Sequence, residues 1–191
     1  MLYFNSYLGV KAMLRVTPVL PEKAGPELKP LYEALQKKMG RVINIFQNMG
    51  NSPLTLKAFL ALSEAAAQTH LSAKVREEIA LTIGQANQCE YCVSAHTLSA
   101  KAHGLAEQEI LLARKGEAQE PKTKAILKFV KIVVEKRGKV SEEDVVALKN
   151  EGISDQELIE IVLNIAVNMF TNYFNNIIGT QVDFPQAPPL N

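Results

Sequence analysis

Cys89 and Cys92 are the two cysteines of the chain, and His96 stands four residues after the second. On a helix the spacing i, i+3, i+7 places all three along one face. The two sulfurs are then near enough to form a disulfide with modest adjustment, and His96, one turn beyond Cys92, can reach its thiol. Thiol–peroxide chemistry calls for such a set. The attacking species is a thiolate, and an ordinary thiol with a pKa near ~8.5 supplies little of it at neutral pH. An imidazole beside the sulfur accepts its proton or stabilises the anion. Attack on a peroxide gives a sulfenic acid, and a second cysteine converts that to a disulfide before over-oxidation. An external thiol then resets the pair.

A carboxylate that orients or charges the histidine completes a relay of nucleophile, base and orienting group. Glu77 and Glu78 are the acidic candidates, one helix earlier. They point about ~100° apart on a helix, so at most one faces the cysteines, and periodicity leaves the choice open. Tyr91 reads first as a packing residue, and is also a candidate substrate contact through its hydroxyl. Among competing readings, Cys89, Cys92, His96 and His103 have the residue types of a zinc site. Cys89 and His103, however, would lie about four helical turns apart, ~21 Å, beyond the reach of one ion. A three-ligand site completed by Glu77 or water stays open, as does a reading of the cysteines as small core residues. At a helix start the first cysteine of a C-x-x-C is usually the exposed, low-pKa one. The spacing of His96 instead favours the second.

The elements that must hold these groups read as helical throughout. Residues 27–39 carry Leu28, Leu31, Leu35 and Met39 on one stripe. Ser52-Pro53 opens a helix over 53–68. Another covers 73–87, with Val75, Ile79 and Ile83 on its apolar stripe. A break near Asn87-Gln88 lets the next, Cys89 to His103, pack beside it, and Gly104 stops that one. Helices follow over 107–115, 122–137 and 142–149. Basic residues precede Gly104, Gly116 and Gly138, which suits helix C-termini. Ser154 and Glu157 form a capping box for a long helix over 155–178. Its buried stripe is expected at Leu158, Ile161, Val162, Ile165 and Met169. Ile159, Val167 and Phe170 make it apolar on a further side, which predicts packing on more than one side and a homo-oligomer. The tail, DFPQAPPL, is expected to lie extended. His70 and His103 read as surface or helix-end residues.

The chain has 191 residues, 47% hydrophobic and 21% charged, enough for one sizeable core. With 21 Lys+Arg against 20 Asp+Glu it has no basic excess to neutralise phosphates, so nucleic acid is not expected as a partner. No apolar run has the ~18–20 residues of a membrane span. The N-terminus does not read as a signal peptide, and a cytoplasmic location is expected, where a cysteine pair is more often catalytic or metal-binding than structural. From Met13 the chain reads as a complete start, so residues 1–12 are a candidate extension of a domain covering 13–191.

The pattern Glu77-x11-Cys89-x-Tyr-Cys92-x3-His96, with Gly104 downstream, resembles the alkylhydroperoxidase D / carboxymuconolactone decarboxylase family, and more narrowly its peroxidase-related branch. The motif covers residues 74–104. Asn172-Tyr173-Phe174-Asn175 and the closing Asp183-Phe184-Pro185 are similar to that branch as well. The resemblance implies an all-α, alkylhydroperoxidase D-like domain of about eight or nine helices that forms dimers, trimers or hexamers. It implies a haem-free, cysteine-dependent peroxidase with no cofactor and no metal, acting on a hydroperoxide and reset by a dithiol or a thioredoxin-like protein. By resemblance Cys92 attacks the peroxide, Cys89 resolves, and His96 and Glu77 relay the proton, which selects Glu77 over Glu78. Two positions depart from alkylhydroperoxidase D itself: Tyr91 replaces a histidine between the cysteines, and Gly84 replaces a serine. Decarboxylase members generally lack the paired cysteines, so that activity is not carried over. A non-catalytic redox sensor or structural oligomer, and a zinc-binding module, are the alternatives.

Overall fold

The structure, a computed structural model, describes residues 14–190 and the backbone of residues 3–4 and 11–12. The start at Met13, and most of the candidate extension over 1–12, lie outside the described residues. Within that stretch Tyr3–Phe4 (β1) pairs antiparallel with Lys11–Ala12 (β2). The rest is helical, as expected. The α-helices among the described residues are α1 (Lys29–Met39), α2 (Asn44–Met49), α3 (Pro53–Ala67), α4 (Ala73–Ala86), α5 (Glu90–Ala102), α6 (Glu107–Lys115), α7 (Pro121–Glu135), α8 (Glu142–Asn150) and α9 (Asp155–Ile178). A single 3-10 turn, Pro21–Lys23, precedes them.

Local chemistry sets most of the boundaries. Ser52, Ser72, Ser141 and Ser154 each accept a backbone N–H in the first turn of α3, α4, α8 and α9. In α9 the box closes both ways, because the Glu157 carboxylate accepts the Ser154 N–H at 2.9 Å. α6 ends on Gly116 at φ 76°, a left-handed position that costs a glycine nothing. α2 was not anticipated. It has six residues and no side-chain cap, so local sequence carries no signal for it. Tertiary contacts hold it instead: Ile45, Phe46 and Met49 are buried, and the Asn44 N–H donates to the Asp183 carboxylate at 3.1 Å.

α4 is the central helix, packed against α5, α6, α7 and α9. Seven consecutive residues, Glu78 to Gly84, are buried along it, where a single apolar stripe was expected. A helix covered on four sides has no solvent face, so the 3.6-residue pattern is lost. One apolar cluster joins Ile79, Leu81 and Ile83 to α6, α7, α8 and the first half of α9. A second gathers α1, α2 and α3 around Cys89, Tyr91 and Cys92, with Phe184 of the tail. The cysteines therefore sit in a packed apolar cluster, at the seam of α4, α5 and α9.

α9 departs from its expected pattern. Ile161 and Ile165 are buried, but Val162 is exposed. Asn164, Asn168, Asn172 and Asn175 take its place on the inner face. The exposed side carries Ile159, Val162, Tyr173 and Ile177. Met39, the last residue expected on the α1 stripe, is exposed as well. No helix among the described residues is long and apolar enough to cross a membrane.

Candidate active site

The turn between α4 and α5 builds the site. Gln88 adopts a left-handed conformation, φ 52°, which reverses the chain. Its neighbour Cys89 is then the N-cap of α5, and the Cys89 sulfur accepts the Cys92 N–H at 3.2 Å. α5 runs back antiparallel to α4. Glu77, near the start of α4, meets His96 and Ser99, while Gly84, near its end, lies against Cys92 and Val93. A Cβ on Gly84 would come within 3.3 Å of Val93 Cγ2 and 3.5 Å of Cys92 Cβ. The cysteine turn thus sits close on α4 at this position.

The two cysteines are joined in a disulfide, with Cα atoms 5.2 Å apart. Both are buried, Cys89 at 0% and Cys92 at 3% exposure. His96 Nδ1 lies 2.8 Å from Glu77 Oε2, and the Ser99 hydroxyl donates to Glu77 Oε1 at 2.8 Å. His103 Nδ1 approaches the same carboxylate oxygen at 3.9 Å. Burial pushes the Glu77 carboxyl up. The charge of His96, the hydrogen bonds from His96 and Ser99 and the charge of His103 outweigh it, and hold Glu77 below the ordinary carboxylate range. Glu77 is therefore an anion at neutral pH. An anion at Nδ1 fixes the proton of a neutral imidazole there and leaves Nε2 as the basic nitrogen.

Glu78 turns the other way. It is buried toward α6 and α7, on a cavity it shares with Lys74, Glu109, Glu120 and Thr123. Burial and the nearby Glu109 raise its pKa to about 7, and Lys74 only partly offsets them. The structure thus brings Glu77 to His96 and keeps Glu78 away, a choice that helical periodicity left open.

Tyr91 is buried among α2 and the tail. Its hydroxyl accepts the Ile45 N–H at 3.3 Å, and its ring meets Phe184 edge-on at 5.4 Å between centroids. Burial, and the carboxylate of Asp183 next, push its phenol far above the ordinary range. The packing role expected of Tyr91 is what these contacts describe, and its hydroxyl is engaged with protein. His70 lies apart from the site, 2.9 Å from Glu160.

Ser99 and Asn175 also belong to the site, though no catalytic or binding role was expected of either. Ser99 sits at i+3 from His96, so the helical face already identified contained the signal. Asn175 reaches from α9 to donate its amide N–H to Cys92 Sγ at 3.3 Å. Its signal was the recurrence of asparagine at 164, 168, 172 and 175, which places four amides on one face of an otherwise apolar helix. Nearby, the Asn87 amide donates to Asn172 Oδ1 at 3.1 Å and the Asn176 amide to the Asn87 carbonyl at 2.9 Å. These bonds pin the α4–α5 turn to α9.

The extended tail closes the outer side. The Ala187 N–H donates to Ser94 Oγ at 3.2 Å, and Arg114 Nη1 donates to the Pro188 carbonyl at 2.7 Å. Between the tail and the cysteine turn lies a cavity of about 420 Å³ that includes Gly84, Cys89, Val93, Arg114 and Leu190 in its lining. Of the two sulfur residues it is Cys89 that faces it. No group of three or more His, Cys, Asp or Glu among the described residues is arranged to hold a metal ion.

Residues 53–135 match the sequence signature of the carboxymuconolactone decarboxylase family. No curated protein matches the chain by sequence. Among solved structures, the chain is similar to a peroxidase-related protein of Ralstonia eutropha described as an alkylhydroperoxidase AhpD core. They share 25% identity over 88% of this chain and 92% of that one, with a TM-score of 0.80. A peroxidase-related protein of Silicibacter sp. shares the fold at 21% identity over 83% and 85% of the two chains, TM-score 0.75. So does an alanine variant of the debrominase Bmp8 bound to 2,3,4-tribromopyrrole, at 23% identity over 88% and 91%, TM-score 0.76.

Proposed function

We propose that this chain, which belongs to the alkylhydroperoxidase D / carboxymuconolactone decarboxylase family, is a thiol-dependent peroxidase whose attacking residue is Cys92. One observation carries the proposal. The Glu77–His96 pair, 2.8 Å apart, is held on the same two helices as a buried, redox-paired Cys89–Cys92. A structural disulfide has no use for a carboxylate–histidine pair one helical turn away.

The cycle follows from roles the geometry supports. In the reduced protein His96 Nε2 takes the Cys92 proton, and Glu77 stabilises the imidazolium through Nδ1. The Cys92 thiolate attacks the terminal oxygen of a hydroperoxide. The S–O bond forms, the O–O bond breaks, and the alkoxide leaves with the proton that His96 returns. Cys92 is now a sulfenic acid. Cys89, as thiolate, attacks its sulfur, hydroxide departs as water with a proton from the relay, and the disulfide seen in the structure results. An external dithiol resets it. Its first thiolate attacks Cys89, the sulfur residue facing the cavity, and expels the Cys92 thiolate. Its second thiol then displaces Cys89 from the mixed disulfide.

On this reading residues 13–191 act as one domain in a reducing compartment, the cytoplasm. The chain assembles with copies of itself through α9, where the exposed Tyr173 and Ile177 line a groove with Met169, Phe170 and Phe174, and Ile159 is exposed nearer the start of the helix. The direct test is consumption of a dithiol that depends on added hydroperoxide. Turnover in the parent protein and none in Cys92→Ser supports the proposal. Equal turnover in both refutes it.

A further inference from the structure

Asn175 carries two features that the oxidised fold does not require. Its amide N–H points at Cys92 Sγ, which as a disulfide sulfur is a weak acceptor. Its carbonyl oxygen is buried with no hydrogen-bond partner, on a residue only 4% exposed. Buried polar atoms are normally paired, and an unpaired one calls for a reason. Asn172, on the same stripe, accepts from Asn87 and leaves its own Nδ2 unpaired, and the other two amides bond within the helix. Asn164 donates to the Glu160 carbonyl and Asn168 to the Asn164 carbonyl, both at 2.9 Å within α9. Asn175 alone of the four is directed at a sulfur.

Both features are accounted for once the sulfur changes state. A thiolate is a strong acceptor for the N–H. A sulfenic acid presents an acceptor sulfur and a donor O–H side by side, matching the donor and acceptor of the amide. We propose that Asn175 is a catalytic residue of the thiol cycle. Its N–H stabilises the Cys92 thiolate, and its free carbonyl oxygen accepts the O–H of the Cys92 sulfenic acid until Cys89 attacks. The same N–H favours Cys92 as the leaving thiolate when the disulfide is reduced. This rests on Cys92 being the attacking sulfur, and the test separates the two claims.

The titratable groups on the elements around the sulfur are Lys74, Arg76, Glu77 and Glu78 on α4, Glu90, Tyr91, His96 and Lys101 on α5, Tyr173 on α9 and Asp183 in the tail. α9 has no charged residue beyond Glu160. All are kept in every variant. In a Cys89→Ser background Cys92 is the only thiol, and its ionisation is followed by thiolate absorbance against pH. Asn175→Leu, close in shape, removes both amide functions. The Cys92 pKa should rise by about one unit, a tenfold loss of thiolate at neutral pH, the scale of one hydrogen bond to a charged group. Asn175→Asp keeps the shape and sets a carboxylate against the sulfur, so the rise should be larger. After one equivalent of hydroperoxide, the sulfenic acid trapped by a cyclic dione should be shorter-lived in Asn175→Leu than in its parent. Asn164→Leu, three turns earlier on the same face and bonded only within α9, reports helix repacking alone and should leave the titration in place. Coincident Cys92 titrations in the parent, Asn175→Leu and Asn175→Asp, with helical content retained, overturn the thiolate role. An unchanged sulfenic-acid lifetime overturns the carbonyl role. A shifted titration in a protein whose Cys92 takes no oxygen from peroxide upholds the thiolate role and refutes the peroxidase reading instead.

Discussion

Glu78→Gln should stabilise the protein at alkaline pH and leave the thiol chemistry untouched. Glu78 is 9% exposed, and its pKa rises from 4.5 to about 7, first from burial and then from Glu109. The folded protein thus holds a proton that the unfolded chain releases, so stability falls as pH rises through the window between 4.5 and 7 and is level on either side. Taken in full, that displacement corresponds to about 3 kcal/mol lost above pH 7. Lys74 and the cavity beside the carboxylate allow relaxation, so we expect a gain of about 1–3 kcal/mol for the glutamine variant at pH 8. Well below 4.5 the gain should vanish, because the parent carboxyl is protonated in both states. Urea unfolding at fixed protein concentration, at pH 8 and near pH 5, measures the difference. A variant with the same stability increment at both pH values, or none at either, refutes the reasoning. Peroxide turnover should stay at the parent level, since Glu78 faces α6 and α7.

The relay makes its own demands. His96→Ala should slow peroxide attack by ~10²–10⁴-fold, the scale of a lost acid–base group, and Glu77→Gln should slow it less, both read by stopped-flow oxidation of the reduced protein. Ile79→Ala, at a fully buried position on the central helix, should cost about 2–5 kcal/mol in chemical unfolding. Ile177→Lys, on the exposed face of α9, should lower the solution mass toward that of one chain of 21.1 kDa at micromolar concentration, as measured by light scattering. A parent protein that is already monomeric would contradict the α9 interface.

Helices with their own caps were legible in the sequence. The serines at 52, 141 and 154 announce α3, α8 and α9, because a hydroxyl in that place satisfies a free backbone donor wherever the helix goes. α2 was not legible, since its N-cap is Ile43 and one of its first-turn N–H groups is satisfied by Asp183, far along the chain. Val162 was misplaced because hydropathy alone puts a valine inward; on α9 the inner face is taken by asparagines that bond to the helix itself, to Asn87 and to Cys92. At the site, the spacing placed Cys92 and His96 on one helix, and Cys89, expected on it too, is its N-cap. Periodicity could not choose between Glu77 and Glu78, which the family resemblance did; the physical reason is the antiparallel return of α5, which depends on the left-handed turn at Gln88. The recurrence of asparagine marked one polar face of α9 but not what Asn175 meets there, because that contact spans 83 positions of sequence.

The most direct measurement of the central claim is peptide mass analysis of the reduced Cys89→Ser and Cys92→Ser proteins after one equivalent of hydroperoxide. A cycle that starts at Cys92 predicts oxygen on Cys92 of the Cys89→Ser protein, first as sulfenic and then as sulfinic acid, and no comparable oxidation of Cys92→Ser. Oxygen on Cys89 of the Cys92→Ser protein, arriving at an undiminished rate, would reverse the two cysteines and contradict it.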